Sequence, residues 1–156
     1  MKIQKGTFIK SIAIPLIVGA LSAALSGGGM RGFAALNKPP LSPPGWLFPI
    51  VWTILYILMG IASYLILTSR AKPEQISKAM SAYAYQLMAN FLWSIFFFDF
   101  KWYLFSFIWL LVLWGLIVIT IIRFYNISKV AAYLLIPYLI WVTFAGYLNL
   151  AIWYLN

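Results

Sequence analysis

The chain has no cysteine and no histidine, and its only acidic residues are Glu74 and Asp99, set against eleven Lys and Arg. Without thiols or imidazoles there are no disulfides, no thiol or imidazole catalysis, and none of the usual zinc or haem ligands. Two isolated carboxylates are a poor basis for paired acid–base work inside one buried site. Charge itself is scarce. Charged residues make up 8% of the 156 positions and apolar residues 65%, where soluble proteins carry roughly 25% and 45–50%. A soluble globule cannot hide that much apolar surface, so lipid must be the solvent for most of the chain.

What is there is long and greasy. A hydrocarbon slab of about 30 Å needs roughly 20 apolar residues per helix. Five runs qualify as candidates: Thr7–Leu25, Leu47–Leu67, Ala82–Phe98, Tyr103–Ile122 and Val130–Tyr154. They lack the alternation of a membrane barrel, and helices satisfy their own backbone hydrogen bonds. The expected fold is an all-α membrane protein, a five-transmembrane-helix bundle forming one membrane domain over residues 1–156, with a long loop at 26–46. Basic residues set the orientation. Lys2, Lys5, Lys10, Arg70, Lys72, Lys78, Arg123 and Lys129 fall on one side, and only Arg31, Lys38 and Lys101 on the other. The positive-inside rule then puts the N-terminus in the cytoplasm and the C-terminus outside. The net charge of +9 thus reflects topology and anionic lipid, and calls for no nucleic acid.

The segment Ser26–Trp46 runs from Gly27-Gly28-Gly29 to Pro39-Pro40-Leu41-Ser42-Pro43-Pro44-Gly45-Trp46. Glycines give swivel, and paired prolines stiffen the second half into an extended run. It reads either as a surface connector or, preferably, as a semi-rigid lid carrying Arg31 and Lys38 as the nearest cations for an anionic ligand. Within the bundle, Trp52, Tyr56, Gly60 and Ser63 share a face of the second helix. Gln86, Asn90 and Ser94 follow at i+4 steps in the third, beside Trp93 and Phe97. Pro137, Trp141, Ala145, Asn149 and Trp153 form an i+4 ridge in the fifth, which Pro137 should bend. Two carboxamides facing lipid would be costly, so these faces point inward. They serve as glue between helices or as the polar lining of a cavity, and the residues leave both open. Trp46, Trp102 and Trp153 fit an interfacial belt; Trp52, Trp93 and Trp141 lie deeper, where indoles line a cavity. Trp109 and Trp114, in the least polar helix, fill space or face lipid.

These stretches resemble the tryptophan-rich sensory protein or translocator protein (peripheral-type benzodiazepine receptor) family. The match lies in Leu36-Asn37-Lys38-Pro39-Pro40-Leu41-Ser42-Pro43-Pro44-Gly45-Trp46 and Val51-Trp52-Thr53-Ile54-Leu55-Tyr56-Ile57-Leu58-Met59-Gly60. It continues in Tyr85-Gln86-Leu87, Asn90, Trp93-Ser94, Leu134-Leu135-Ile136-Pro137-Tyr138-Leu139-Ile140-Trp141 and Leu148-Asn149. The resemblance implies a bacterial cell-membrane protein, often a homodimer, whose cavity under the first loop binds porphyrins, sterols and benzodiazepine-site ligands. Trp52 and Trp141 match two cavity tryptophans linked to light-dependent protoporphyrin breakdown in bacterial members. Gln86, Asn90 and Trp93 match cavity residues, and Pro43 and Pro44 the covering loop. Gly32 and Phe33 stand where the family often has Trp-Tyr, and Leu41 replaces another frequent aromatic. Phe33 keeps a stacking surface without the phenol hydroxyl.

The expected ligand contacts are therefore Phe33, Pro43, Pro44, Trp46, Trp52, Tyr56, Gln86, Asn90, Trp93, Trp141, Ala145 and Asn149, with Arg31 and Lys38 for propionates. The leading function is a receptor for tetrapyrroles. Metal-free porphyrin is preferred because no His or Cys is present to ligate iron, although Tyr or Met ligation stays open. No cofactor or metal is called for. Light-driven porphyrin degradation with Trp52 and Trp141 as the catalytic pair comes second. A transporter ranks third, for want of mid-membrane charge, and a regulatory subunit fourth. Cholesterol is not expected: Tyr154-Leu155-Asn156 ends without a basic residue, and Lys129, Tyr133 and Leu135 fit only the weak reversed pattern.

The first helix admits a second reading. Lys2, Lys5 and Lys10 before an apolar run, then Ala24-Leu25-Ser26, imitate a secretory leader and its cleavage site. Gly19, Ala20, Ala23 and Ala24 instead suit close helix packing, which a discarded leader does not need. The purified protein is expected to show an intact mass that includes this helix; loss of about 2–3 kDa, the size of a leader, would overturn that.

Overall fold

A computed structural model describes residues 3–26 and 33–156, and among them every regular element is helical. Helix α1 spans Lys5–Leu25, α2 Leu47–Leu67, α3 Pro73–Ser94 and α4 Tyr103–Tyr125. Helix α5 spans Lys129–Leu155 and is interrupted once, at Leu135. Helices α1, α2, α4 and α5 are each long and apolar enough to cross a membrane. Helix α3 is the exception, because its first turns are polar: Glu74 pairs with Lys78 at 3.3 Å, and Gln75 accepts from the Lys72 N–H. It starts nine residues before the apolar run that was expected to define it. Pro73 in the first turn, Glu74 beside it and Gln75 at the third position are start signals that a count of apolar residues passes over.

The helices close into a ring in the order α1, α2, α5, α4, α3. A close seam joins α1 to α2. Pro15 has no N–H to offer the Ser11 carbonyl one turn back, and that carbonyl faces Gly60. A Cβ on Gly60 would lie 2.8 Å from it and 2.7 Å from the Ile12 Cα. A Cβ on Gly19 would overlap the Tyr56 ring. Helix α4 stands outside the ring's inner face and is tied by its indoles: Trp109 donates to the Ala89 carbonyl at 2.8 Å and Trp114 to the Thr143 hydroxyl at 2.9 Å.

Two irregularities shape the interior. Helix α3 ends in a widened π turn, Ile95–Asp99, closed by the Trp102 N–H on the Phe96 carbonyl at 3.0 Å, with Lys101 left-handed at φ 56°. Such turns insert a residue and re-aim the side chains around it. Here Phe97 and Phe98 face inward, while Phe96 packs on Trp102, Phe105 and Trp109. The break in α5 falls at Leu135, two residues before Pro137, whose ring fits the first turn of the new segment. After the break α5 no longer packs closely along α2.

Residues 33–46 fold back over the C-terminal end of α5. Asn37 and Asn156 exchange two hydrogen bonds, at 3.0 and 3.3 Å, and the Tyr147 hydroxyl donates to the Pro40 carbonyl at 2.9 Å. Arg31, Gly32 and the three glycines lie outside the described residues, as does Lys2.

The α1–α2 seam gives a paired expectation. Gly60→Ala forces backbone apart and should cost about 1–3 kcal/mol. Gly115→Ala, with nothing within 4 Å of its Cβ, should be neutral or stabilise by up to about 1 kcal/mol. Thermal unfolding of the two variants in detergent checks both signs.

Candidate ligand cavity

The ring does not fill its centre. A cavity of about 400 Å³ lies among α1, α2, α3 and α5, with Phe33 from the loop at one side and no residue from α4. This is the size range of small-molecule sites. Room comes from two sources: Gly19, Ala20 and Ala23 on α1 are too small to fill it, and α5 has swung away from α2. The small residues of α1 therefore do more than bring helices together.

Aromatic rings make the walls. Trp52 stacks on Tyr56 at 5.6 Å between centroids and meets Trp141 edge-on at 6.5 Å. Trp141 in turn meets Phe48 at 5.8 Å, and Trp93 stacks on Phe97 at 5.3 Å. Trp141 also borders a second, wholly apolar groove between α2 and α5, shared with Ile54, Leu58, Pro137, Ile140 and Phe144. One indole is thus the partition between the internal cavity and the bundle's apolar exterior.

Below the walls lies a chain of neutral hydrogen bonds. The Tyr56 hydroxyl donates to Asn90 Oδ1 at 3.4 Å, Asn90 Nδ2 donates to the Tyr138 hydroxyl at 2.9 Å, and Tyr138 donates to Gln86 Oε1 at 2.7 Å. At the other end the Trp93 indole donates to Asn149 Oδ1 at 3.0 Å, and Asn149 Nδ2 donates to the Tyr103 carbonyl at 2.7 Å. These bonds join α2 to α3, α3 to α5, and α5 to α4. Carboxamides and indoles here act as interhelical ties, which stabilise membrane bundles by about 0.6–2 kcal/mol each. Gln86 Nε2 and the Trp141 indole N–H stay without partners among the described residues.

The expected contact residues divide accordingly. Phe33, Trp52, Tyr56, Asn90, Trp93, Trp141, Ala145 and Asn149 all border the cavity. Gln86, 1% exposed, lies behind it on the hydrogen-bond chain. Pro43, Pro44 and Trp46 are not on the lining, and Trp46 is 67% exposed. The Lys38 ammonium donates to the carbonyls of Phe33, Ala34 and Leu36 at 3.0–3.3 Å, so its three protons close the loop's own backbone. The i+4 ridge of α5 holds for Trp141, Ala145 and Asn149 only. Each step of four turns the direction by about 40°, so Trp153 and Pro137 at the ends face outward. Tyr138 takes the inward place, and the ridge reading missed it; its i+3 and i+7 relation to Trp141 and Ala145 was the signal. Among the described residues the lining holds no charged side chain, so what these residues offer is stacking surface and neutral hydrogen-bonding groups. The reversed sterol pattern is split between faces, with Tyr133 exposed and Leu135 buried.

An all-helical membrane protein with an aromatic cavity inside the bundle is the class these features define. The chain belongs to the TspO/MBR family, whose sequence pattern it matches over residues 11–155. It is 44% identical to the tryptophan-rich protein TspO of Chlorobaculum tepidum over 124 residues, 80% of this chain and 78% of that one. It is 35% identical to the tryptophan-rich sensory protein of Cereibacter sphaeroides over 150 residues, 96% of this chain and 89% of that one. The translocator protein of Bos taurus is 35% identical over 142 residues, 90% of this chain and 84% of that one.

Tyr138 both accepts from Asn90 and donates to Gln86, so Tyr138→Phe strands two buried amides. The expected loss is about 1–3 kcal/mol, read as a lower melting temperature in detergent; an unchanged melting point would show that the chain does not hold the bundle together.

Proposed function

We propose that this protein is a membrane receptor for flat, largely apolar ligands, with porphyrins and other tetrapyrroles first among them and benzodiazepine-site aromatics as a second class. The observation that carries the reading is the pair Trp52 and Trp141, edge-to-face on one wall of a cavity whose described lining is uncharged. Planar macrocycles gain from such indole surfaces. Residues 33–46 act as the cover, since Phe33 reaches the lining while the segment is pinned to α5. Propionates stay at the mouth, because a carboxylate inside would go unpaired. Lys38 reaches them only by giving up a carbonyl, and Arg31 is the other cation in this loop.

The protein sits in the bacterial cell membrane with its N-terminus cytoplasmic, works as a homodimer, and needs no cofactor. A second reading, light-driven porphyrin breakdown by dioxygen, is favoured by one fact: Trp52 and Trp141 border the same space and would touch the same guest. Equal bilin yields from wild type and Trp52→Phe, at equal bound porphyrin, would set that reading aside.

Protoporphyrin IX titrated into the detergent-solubilised protein should quench tryptophan fluorescence saturably. Trp141→Ala should weaken binding by at least about 1 kcal/mol, or roughly fivefold. An unchanged affinity would remove Trp141 from the site, and no saturable binding by wild type would overturn the porphyrin reading.

A further inference from the structure

Five hydroxyls in these helices donate to a carbonyl of their own helix. Thr53 does so to Pro49, Ser63 to Gly60, Ser81 to Ser77, Thr120 to Leu116 and Thr143 to Leu139. Three serines on the cavity wall do not. Ser22 and Ser26 come from the last turn of α1 and its cap, and Ser94 from the end of α3. All three are buried, and among the described residues their hydroxyl oxygens meet only each other: Ser22 to Ser94 at 2.6 Å and Ser26 to Ser94 at 3.2 Å.

The protons can be counted. Three hydroxyls bring three protons, and two oxygen–oxygen contacts use two of them. One O–H is left over, and among the described residues nothing accepts it. Of the other polar groups of the lining, Asn90 is engaged with Tyr56 and Tyr138 and Asn149 with Trp93 and Tyr103, which leaves the Trp141 indole N–H as the other donor without a partner among the described residues. A surplus donor on the wall of a ligand-sized cavity is a waiting partner for an acceptor.

The surroundings decide what kind of acceptor. The cluster lies at the C-terminal end of α1, where unpaired carbonyls carry partial negative charge. Among the described residues no cation lines the cavity. A carboxylate there would meet negative dipoles with no counter-charge from the described lining, whereas a carbonyl accepts one hydrogen bond at no such cost. We infer that Ser22, Ser26 and Ser94 form a subsite that donates a hydrogen bond to a neutral oxygen acceptor, a ketone, amide or ester carbonyl, on a flat ligand stacked against the indoles. This rests on the cavity being a ligand site and adds to it a choice among ligands.

The test uses fluorene, 9-fluorenone and fluorene-9-carboxylate, which share a flat tricycle and differ in the acceptor. Wild-type protein in detergent should bind fluorenone about fivefold or more tightly than fluorene, the size of one good buried hydrogen bond. It should bind the carboxylate less tightly than either. The carbonyl stretch of bound fluorenone should lie below its value in hydrocarbon. In the triple variant Ser22→Ala, Ser26→Ala, Ser94→Ala, fluorenone and fluorene should bind alike and the stretch should return to the hydrocarbon value. A shift that persists in the triple variant assigns the bond to another donor, the Trp141 indole being the other unpartnered one, and overturns the proposal. So does an unshifted stretch in wild type, a measurement that needs no variant to fold. If wild type binds neither fluorene nor fluorenone, the cavity reading fails and takes the subsite with it. If fluorene binds and fluorenone gains nothing, only the subsite fails.

Discussion

Lipid cannot hydrogen-bond, and the rest of the structure follows from that. Every backbone group within the bilayer has to be paired inside the protein, which dictates helices. Every carboxamide, indole and hydroxyl must turn inward or bond to its own helix for the same reason. Asn90, Gln86 and Asn149 sit on inward faces and find Tyr56, Tyr138, Trp93 and the Tyr103 carbonyl. The polar residues thus set each helix's rotation about its own axis, a choice that apolar surface, equally content in lipid or in protein, leaves open.

A bundle so tied has no need to be hollow, and the hollow has separate causes. The break at Leu135 lets α5 diverge from α2, and small residues on α1 leave the opposite wall thin. Aromatic rings then fill the rim and leave the middle vacant. Trp141 holds the most consequential place, between that space and an apolar groove on the outside. Among the described residues its indole N–H lacks a partner, so none of them fixes its rotamer as Asn149 fixes that of Trp93.

Much of this was legible beforehand. Four spans stand within a few residues of where apolar runs place them, because length and composition alone decide whether a helix can cross a bilayer. The inward faces of α2 and α3 were legible too, since Trp52 and Tyr56 on α2, and Gln86, Asn90 and Ser94 on α3, are spaced by four. Two errors have physical causes. The start of α3 was misplaced because its first turns are polar and are announced by Pro73 and Gln75 instead of by hydrophobicity. The α5 ridge was extended too far, because a strict i+4 line drifts around the helix and leaves its own face within three steps.

The sequence by itself determined that the protein is helical, lies in a membrane, and carries an aromatic, uncharged interior; these follow from composition and periodicity, which need no knowledge of neighbours. Tertiary structure alone decided the ring order, the pairing of Gly60 with a carbonyl freed by Pro15, the loss of Lys38 to loop carbonyls, and the meeting of Ser22, Ser26 and Ser94. Each depends on residues distant in the chain arriving at one point, and local spacing carries no record of which distant helix lies opposite.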